Sequence, residues 1–158
     1  MAKSACGQDK QTIAESFRIL HHLRTMGAWD ATSFGNDGAN DWAYDLEESD
    51  DLSFIDATLQ KVLDAHDEYL EAPDAEEAIA AAEVVAWLRG RPTPVNSYTE
   101  KIAEWVAAHP NLPLTAIIPK ALAALERVQR EPSELLGLWE GNAEWTEALD
   151  DLRRWLTD

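Results

Sequence analysis

Asp74-Ala75-Glu76-Glu77-Ala78-Ile79-Ala80-Ala81-Ala82-Glu83-Val84-Val85-Ala86-Trp87-Leu88-Arg89 is the stretch on which the fold turns. Alanine is the strongest helix former, and the run contains no internal Gly or Pro. Its apolar residues fall on almost every side of a helix. That is the pattern of a helix surrounded by others, not of one lying on a surface. A helix over 74–89 is therefore predicted as the central and most buried element. Pro73 bounds it by restricting Ala72 to extended backbone. Gly90 offers the C′ position that ends it. Glu76 and Glu83 share one side of this helix, in phase with Trp87. A carboxyl buried there has its pKa raised, which is how general acids are made.

Working outward, nearly every other segment repeats its apolar residues at a period near 3.6, and none alternates as a strand does. Ala39, Trp42, Ala43 and Leu46 make one stripe over about 37–48, with Asn36 or Asp37 as N-cap. A second helix is predicted from Asp51 to about Glu71, with Leu52, Ile55, Leu59, Val62, Leu63, His66 and Leu70 on one face. Downstream, residues 90–96 read as a linker-like loop, and Ser97 with Glu100 reads as a capping box. The helix they open buries Ile102, Trp105 and Val106 and stops at Pro110. Pro119 falls in the first turn of the next helix, where its missing N–H costs little. That helix turns Ile118, Ala121, Leu122, Leu125 and Val128 inward. Ser133 opens a short helix ending at Gly141. Asn142 opens the last, with Trp145, Leu149, Leu152 and Leu156 inward. The expectation is an all-α fold, an irregular bundle of six or seven helices around the Ala-rich helix.

The 158 residues suit one domain, large enough to bury a core without metal or disulfide staples. Residues 1–25 read as an N-terminal extension, with Ile13, Phe17 and Leu20 on one helical face. That face could dock on the body or across a homodimer. The body, 26–158, reads as a single helical domain. Cys6 is the only cysteine, so no intramolecular disulfide forms. The N-terminus lacks an apolar signal-peptide core, and no apolar run reaches the length of a membrane span. A cytoplasmic, soluble protein is expected.

The chain carries 13 Lys and Arg against 30 Asp and Glu, a net charge of −17. Residues 1–25 hold four basic and two acidic residues, so the body carries nine basic and 28 acidic ones, or −19. A field of that sign repels phosphate backbones and anionic lipid, which argues against nucleic acid and membranes as partners. It complements a basic protein.

A second block of residues carries a resemblance. Met26-Gly27-Ala28-Trp29 is followed by Phe34, Asn36-Asp37, Ala39 and Asp41-Trp42. Asp67-Glu68-Tyr69-Leu70-Glu71-Ala72, Glu76-Glu77-Ala78 and Glu83-Val84-Val85-Ala86 continue it. Over residues 26–158 this resembles an uncharacterised bacterial family, domain of unknown function 4259. The resemblance implies an all-helical fold and a domain starting at Met26. It brings no catalytic residues with it.

Two acidic stripes are the candidate sites. Asp37, Asp41, Asp45 and Glu48 line one face of the first body helix, opposite its apolar stripe, where solvation alone would put them. Asp64, Asp67, Glu68 and Glu71 form a second stripe. Like charges at these spacings repel, and carboxylates near a helix C-terminus oppose its dipole. Such a stripe calls for an early helix end or a neutralising cation, supplied by residues 1–25 or by a partner. Trp29, in a Gly-containing loop, is either a pin for that loop or an exposed aromatic anchor. His21, His22, His66 and His109 show no metal-ligand spacing, and there is no phosphate loop, nucleophile elbow or dinucleotide fingerprint. Enzymatic activity is left undecided, with the absence of catalytic motifs pointing away from it. Two functions compete. One is a non-enzymatic acidic module that masks a basic partner, as an immunity protein or antitoxin does. The other is a divalent-cation-binding protein or metal-dependent enzyme that uses the carboxylate stripes for Ca²⁺ or Mg²⁺. No other cofactor is expected.

Overall fold

The computed structural model describes residues 32–97 and 99–158. Among these the chain forms seven helices and no strand. They are α1 Asp37–Leu46, α2 Ser53–Asp64, α3 Ala72–Leu88, α4 Glu100–Ala108, α5 Ile117–Val128, α6 Glu134–Leu138 and α7 Ala143–Thr157. The predicted extension, Trp29 and the Met26-Gly27-Ala28 motif lie outside the described residues.

The Ala-rich helix α3 is the hub. Thirteen of its 17 residues are buried, and it touches all six other helices. Alanine at so many positions lets neighbouring backbones come close on every side. The helix begins at Ala72, two residues before the predicted start. Pro73 sits in the first turn, where no N–H is needed, and Glu134 Oε2 accepts the Ala72 N–H at 2.8 Å. At the other end Gly90 adopts φ 95°. Its N–H donates to the Trp87 carbonyl, and the Arg91 N–H donates to that of Ala86. This is the paired hydrogen bonding of a Schellman end, and the left-handed conformation favours glycine.

The α1 stripe forms as read: Ala39, Trp42, Ala43 and Leu46 are buried. Asn36 is the N-cap, its Oδ1 accepting the Ala39 N–H at 2.6 Å. Trp42 donates from Nε1 to Thr58 Oγ1 at 2.7 Å and stacks on Phe54, tying α1 to α2. In α7 the apolar face and the Asn142 cap are also as predicted. So is the Ser133 cap of α6.

Three local expectations fail. Helix α2 stops at Asp64 and does not continue to Glu71. His66 takes φ 46°, a left-handed conformation that breaks the helix, and its side chain is exposed rather than on an apolar face. Leu70 is buried instead through an isolated parallel bridge to Ser133. Ser97 and Glu100 form no capping box. Helix α4 starts at Glu100 after Thr99, whose hydroxyl accepts the Asn96 N–H at 2.9 Å and caps nothing. In α5, Ile118 and Leu122 are only half-buried, because the helix turns Ile117, Ala121, Ala124 and Leu125 inward. No helix among the described residues is long and apolar enough to cross a membrane.

Candidate functional site

Glu76 and Glu83 are two turns apart on α3, about 10 Å along the axis. Each is 6% exposed. Both belong to a helix whose burial is forced by its alanines, so the carboxyls go inside with it. They open onto two adjoining hollows roofed by the 32–36 segment.

The first hollow, of about 20 Å³, is bounded by Ser33, Asn36 and Glu76 on one side and by Ile79, Leu135, Trp139 and Trp145 on the other. It is large enough for one water molecule. Among the described residues no donor reaches the Glu76 carboxyl. Burial, followed by the charges of Glu134, Asp37 and Glu77, pushes its pKa up to about 7. Gly38 explains how α1 comes so near. A Cβ there would lie 3.0 Å from Glu76 Oε2, so a larger residue would press on the carboxyl.

The second hollow, of about 470 Å³, is lined by Phe34, Glu83, Thr93, Asn96, Asp151 and Trp155, among others. Burial pushes the Glu83 pKa up, and three donors pull it part of the way back: the hydroxyls of Ser33 and Thr93 and the indole N–H of Trp87. Thr93 Oγ1 lies 3.0 Å from Glu83 Oε1. Trp87 Nε1 is itself buried and makes no hydrogen bond of good geometry. Among the described residues no Lys, Arg or His forms an ion pair with Glu83 or Glu76.

The first predicted stripe lines neither hollow. Asp37, Asp41, Asp45 and Glu48 are all exposed. Asp37 is close enough to Glu76, and Asp45 to Glu77, to raise those pKa values. Glu77 is raised chiefly by burial, and Lys61 is the one cation that offsets it. Lys61 is already paired with Asp74 at 2.7 Å.

The second stripe is dispersed by the early end of α2. Asp64 closes that helix and accepts from Gln60, Asp67 and Glu68 lie in the following turn, and Glu71 is the N-cap of α3. Among the described residues, two arginines, one on α5 and one in the turn after it, reach this segment. Arg127, only 4% exposed, donates to the carbonyls of His66, Glu68, Arg130 and Pro132 at 2.5–3.1 Å. Arg130 adds contacts to the His66 carbonyl at 3.0 Å and to Asp67 at 3.3 Å. The inward turn of Arg127 was not read from the sequence. Its place on the α5 face between Ala124 and Val128 was the available signal. Among the described residues no three His, Cys, Asp or Glu side chains come together so as to hold a metal ion.

A family model described as a domain of unknown function (DUF4259) matches residues 27–151. The chain belongs to this family. No curated protein and no solved structure matches it. Two residues of the first motif block have structural work in this chain. Asn36 caps α1, and Trp42 bonds α1 to α2. Among the described residues, Glu76 and Glu83 of α3 are buried with no cation paired to them.

Proposed function

We propose that the protein is a non-enzymatic, cytoplasmic, acidic binding module that masks a basic protein partner, in the manner of an immunity protein or antitoxin. The observation that carries the reading is the uncompensated acid on one side of the molecule. Carboxylates from α1, α3 and α6 stand close enough to Glu76 and Glu77 to add to the rise that burial gives their pKa values, with Lys61 as the one cation that offsets the rise at Glu77. Residues 32–158 hold 27 Asp and Glu against nine Lys and Arg, a balance of −18.

Eight of those nine basic residues, all but Arg91, are already committed. Lys61, Lys101 and Lys120 pair with Asp74, Glu47 and Asp56. Arg130, Arg153 and Arg154 pair with Asp67, Asp150 and Asp151. Arg89 donates to the Trp155 carbonyl and Arg127 to four carbonyls. Self-repulsion of this kind costs stability, and a cationic partner relieves it on binding. The same field disfavours nucleic acid and anionic membranes. It also predicts fast, salt-sensitive association.

The divalent-cation reading draws less support. Its first candidates, Asp64, Asp67, Glu68 and Glu71, sit on separate elements. Calcium asks for six to eight converging oxygens.

A calorimetric comparison separates the two readings. The protein is titrated with an arginine-free, lysine-rich peptide and, separately, with Ca²⁺, Mg²⁺ and Mn²⁺. The expected outcome is saturable peptide binding at low salt that weakens steeply as salt rises, with only weak metal binding. Tight metal binding abolished by Glu68→Gln/Glu71→Gln, with no peptide binding, would overturn the reading.

A further inference from the structure

Glu83 is an unusual residue to bury. A carboxylate taken out of water without a cation carries a large desolvation penalty, and neutral donors repay only part of it. Thr93 and Ser33 supply such donors, and no cationic side chain among the described residues completes the set. The hollow in front of Glu83 is far too large for a water molecule alone and has room to spare for a long side chain. Two of its walls are aromatic, Phe34 and Trp155, and Asp151, already paired with Arg154, stands among its lining residues. Behind the carboxyl, the Trp87 N–H is fully buried and lacks a hydrogen bond of good geometry. It supports the charged form of Glu83 without neutralising it. A carboxylate backed by donors, in a pocket with flat aromatic walls, is complementary to a planar guanidinium. That group pairs with carboxylates and stacks on aromatic faces.

We propose that the cleft formed by Phe34, Glu83, Thr93, Asp151 and Trp155 is the anchor pocket for one arginine side chain of the basic partner. The inference rests on the reading of the protein as a binder of a basic partner and adds the residue that is recognised. The open carboxylates of α1 and the start of α3 attract the partner at long range. The Glu83 cleft fixes its register. Of the two, only the cleft distinguishes arginine from lysine, because an ammonium is compact, strongly hydrated and unable to stack.

Two peptides of equal charge test this, one lysine-only and one with a single central Lys replaced by Arg. Each is titrated at low salt into the wild type and into Glu83→Gln, with circular dichroism verifying the fold of the variant. The expected result is that both peptides bind the wild type, the arginine peptide about tenfold tighter, a difference of about 1.4 kcal/mol. In Glu83→Gln the two should bind alike. Equal binding of the two peptides to the wild type would overturn the arginine pocket and leave the masking role standing. Failure of both to bind would overturn the masking role itself. An advantage for arginine that survives in Glu83→Gln would place the recognition elsewhere and also overturn the proposal. Should Glu83→Gln not fold, Thr93→Val removes the hydroxyl on Glu83 Oε1. It is expected to cut the arginine advantage several-fold, and an undiminished advantage there would count as the same refutation.

Discussion

The molecule buries charge in two places and treats them in opposite ways. At one end of α5, the Arg127 guanidinium is surrounded by four backbone carbonyls. Those of Glu68 and Arg130 take their hydrogen bond from Arg127, while those of His66 and Pro132 also accept from Arg130 and from the Leu70 N–H. The cation closes the structure and leaves nothing over. On α3, Glu76 and Glu83 are as deeply buried, yet neither has a cation among the described residues, and each opens on a hollow. One centre is complete in itself and the other is not. A buried charge that satisfies its surroundings belongs to folding. A buried charge that its surroundings leave partly unmet points outward, to a ligand or to a proton.

The largest test of that contrast is Arg127→Met. Removing the guanidinium takes four hydrogen bonds to a charged group and leaves the Glu68 and Arg130 carbonyls without their donor, and should cost about 2–4 kcal/mol. Arg127→Lys should recover little, because three donors on one atom cannot reach four carbonyls spread around a fork. Chemical denaturation measures both. A loss below about 1 kcal/mol in Arg127→Met would show that the hub is dispensable and break the comparison at its closed side.

The next test is acid–base. Glu76 has its pKa raised from 4.5 to about 7 in the folded protein. A raised carboxyl binds its proton more tightly when folded. Its contribution is therefore fully present below pH 4.5 and is lost as pH rises through about 7. The loss amounts to roughly 1–3 kcal/mol after allowance for solvent screening. Glu77 and Glu83, also raised, act in the same direction. The wild type should thus be most stable in mild acid. Glu76→Gln should match it near pH 5 and exceed it near pH 8, flattening the profile. Thermal melts across that range give the answer. A profile that Glu76→Gln leaves unaltered would remove Glu76 from the account.

A smaller effect is expected at Asn36, which caps α1 and borders the Glu76 hollow. Asn36→Ala should lose about 1 kcal/mol of stability by denaturant titration, the ordinary worth of an N-cap. Smallest of all in stability is Asp41→Asn/Asp45→Asn on the exposed face of α1, which should change it by less than about 0.5 kcal/mol. The same pair should slow association with a basic peptide in stopped flow, since surface charge acts on the encounter rate. An unchanged rate would show that α1 takes no part in attraction.

How much of this was legible in the sequence follows from the same contrast. The helices were readable because each announces itself locally. Alanine content marks α3, and the Asn36, Ser133 and Asn142 caps mark three starts. The apolar phase of α1 and α7 is unbroken by tertiary demands. The burial of Glu76 and Glu83 also followed from the phase of α3. What failed was decided at a distance. Nothing between Asp64 and Glu71 says that an arginine some sixty residues later will take up the carbonyls of His66 and Glu68 and let the helix end. The second acidic stripe existed only on the assumption of a continuous helix, and it dissolved with that helix. The Thr99 hydroxyl was likewise drawn to Asn96 in place of a capping role. The donors on Glu83 come from Ser33 and Thr93, fifty residues before it and ten after it, and no spacing rule joins those positions.

The most direct measurement is a residue-resolved map of peptide binding, by amide chemical shifts during titration with the arginine-containing basic peptide at low salt. The account predicts saturable shifts gathered on the exposed side of α1, around Asp74 and Glu77, and along the Glu83 cleft from Thr93 to Thr99. The Arg127 hub and the Asp67–Glu68 turn should stay still. Shifts spread evenly over every exposed carboxylate, or largest around Asp67 and Arg130, would contradict it.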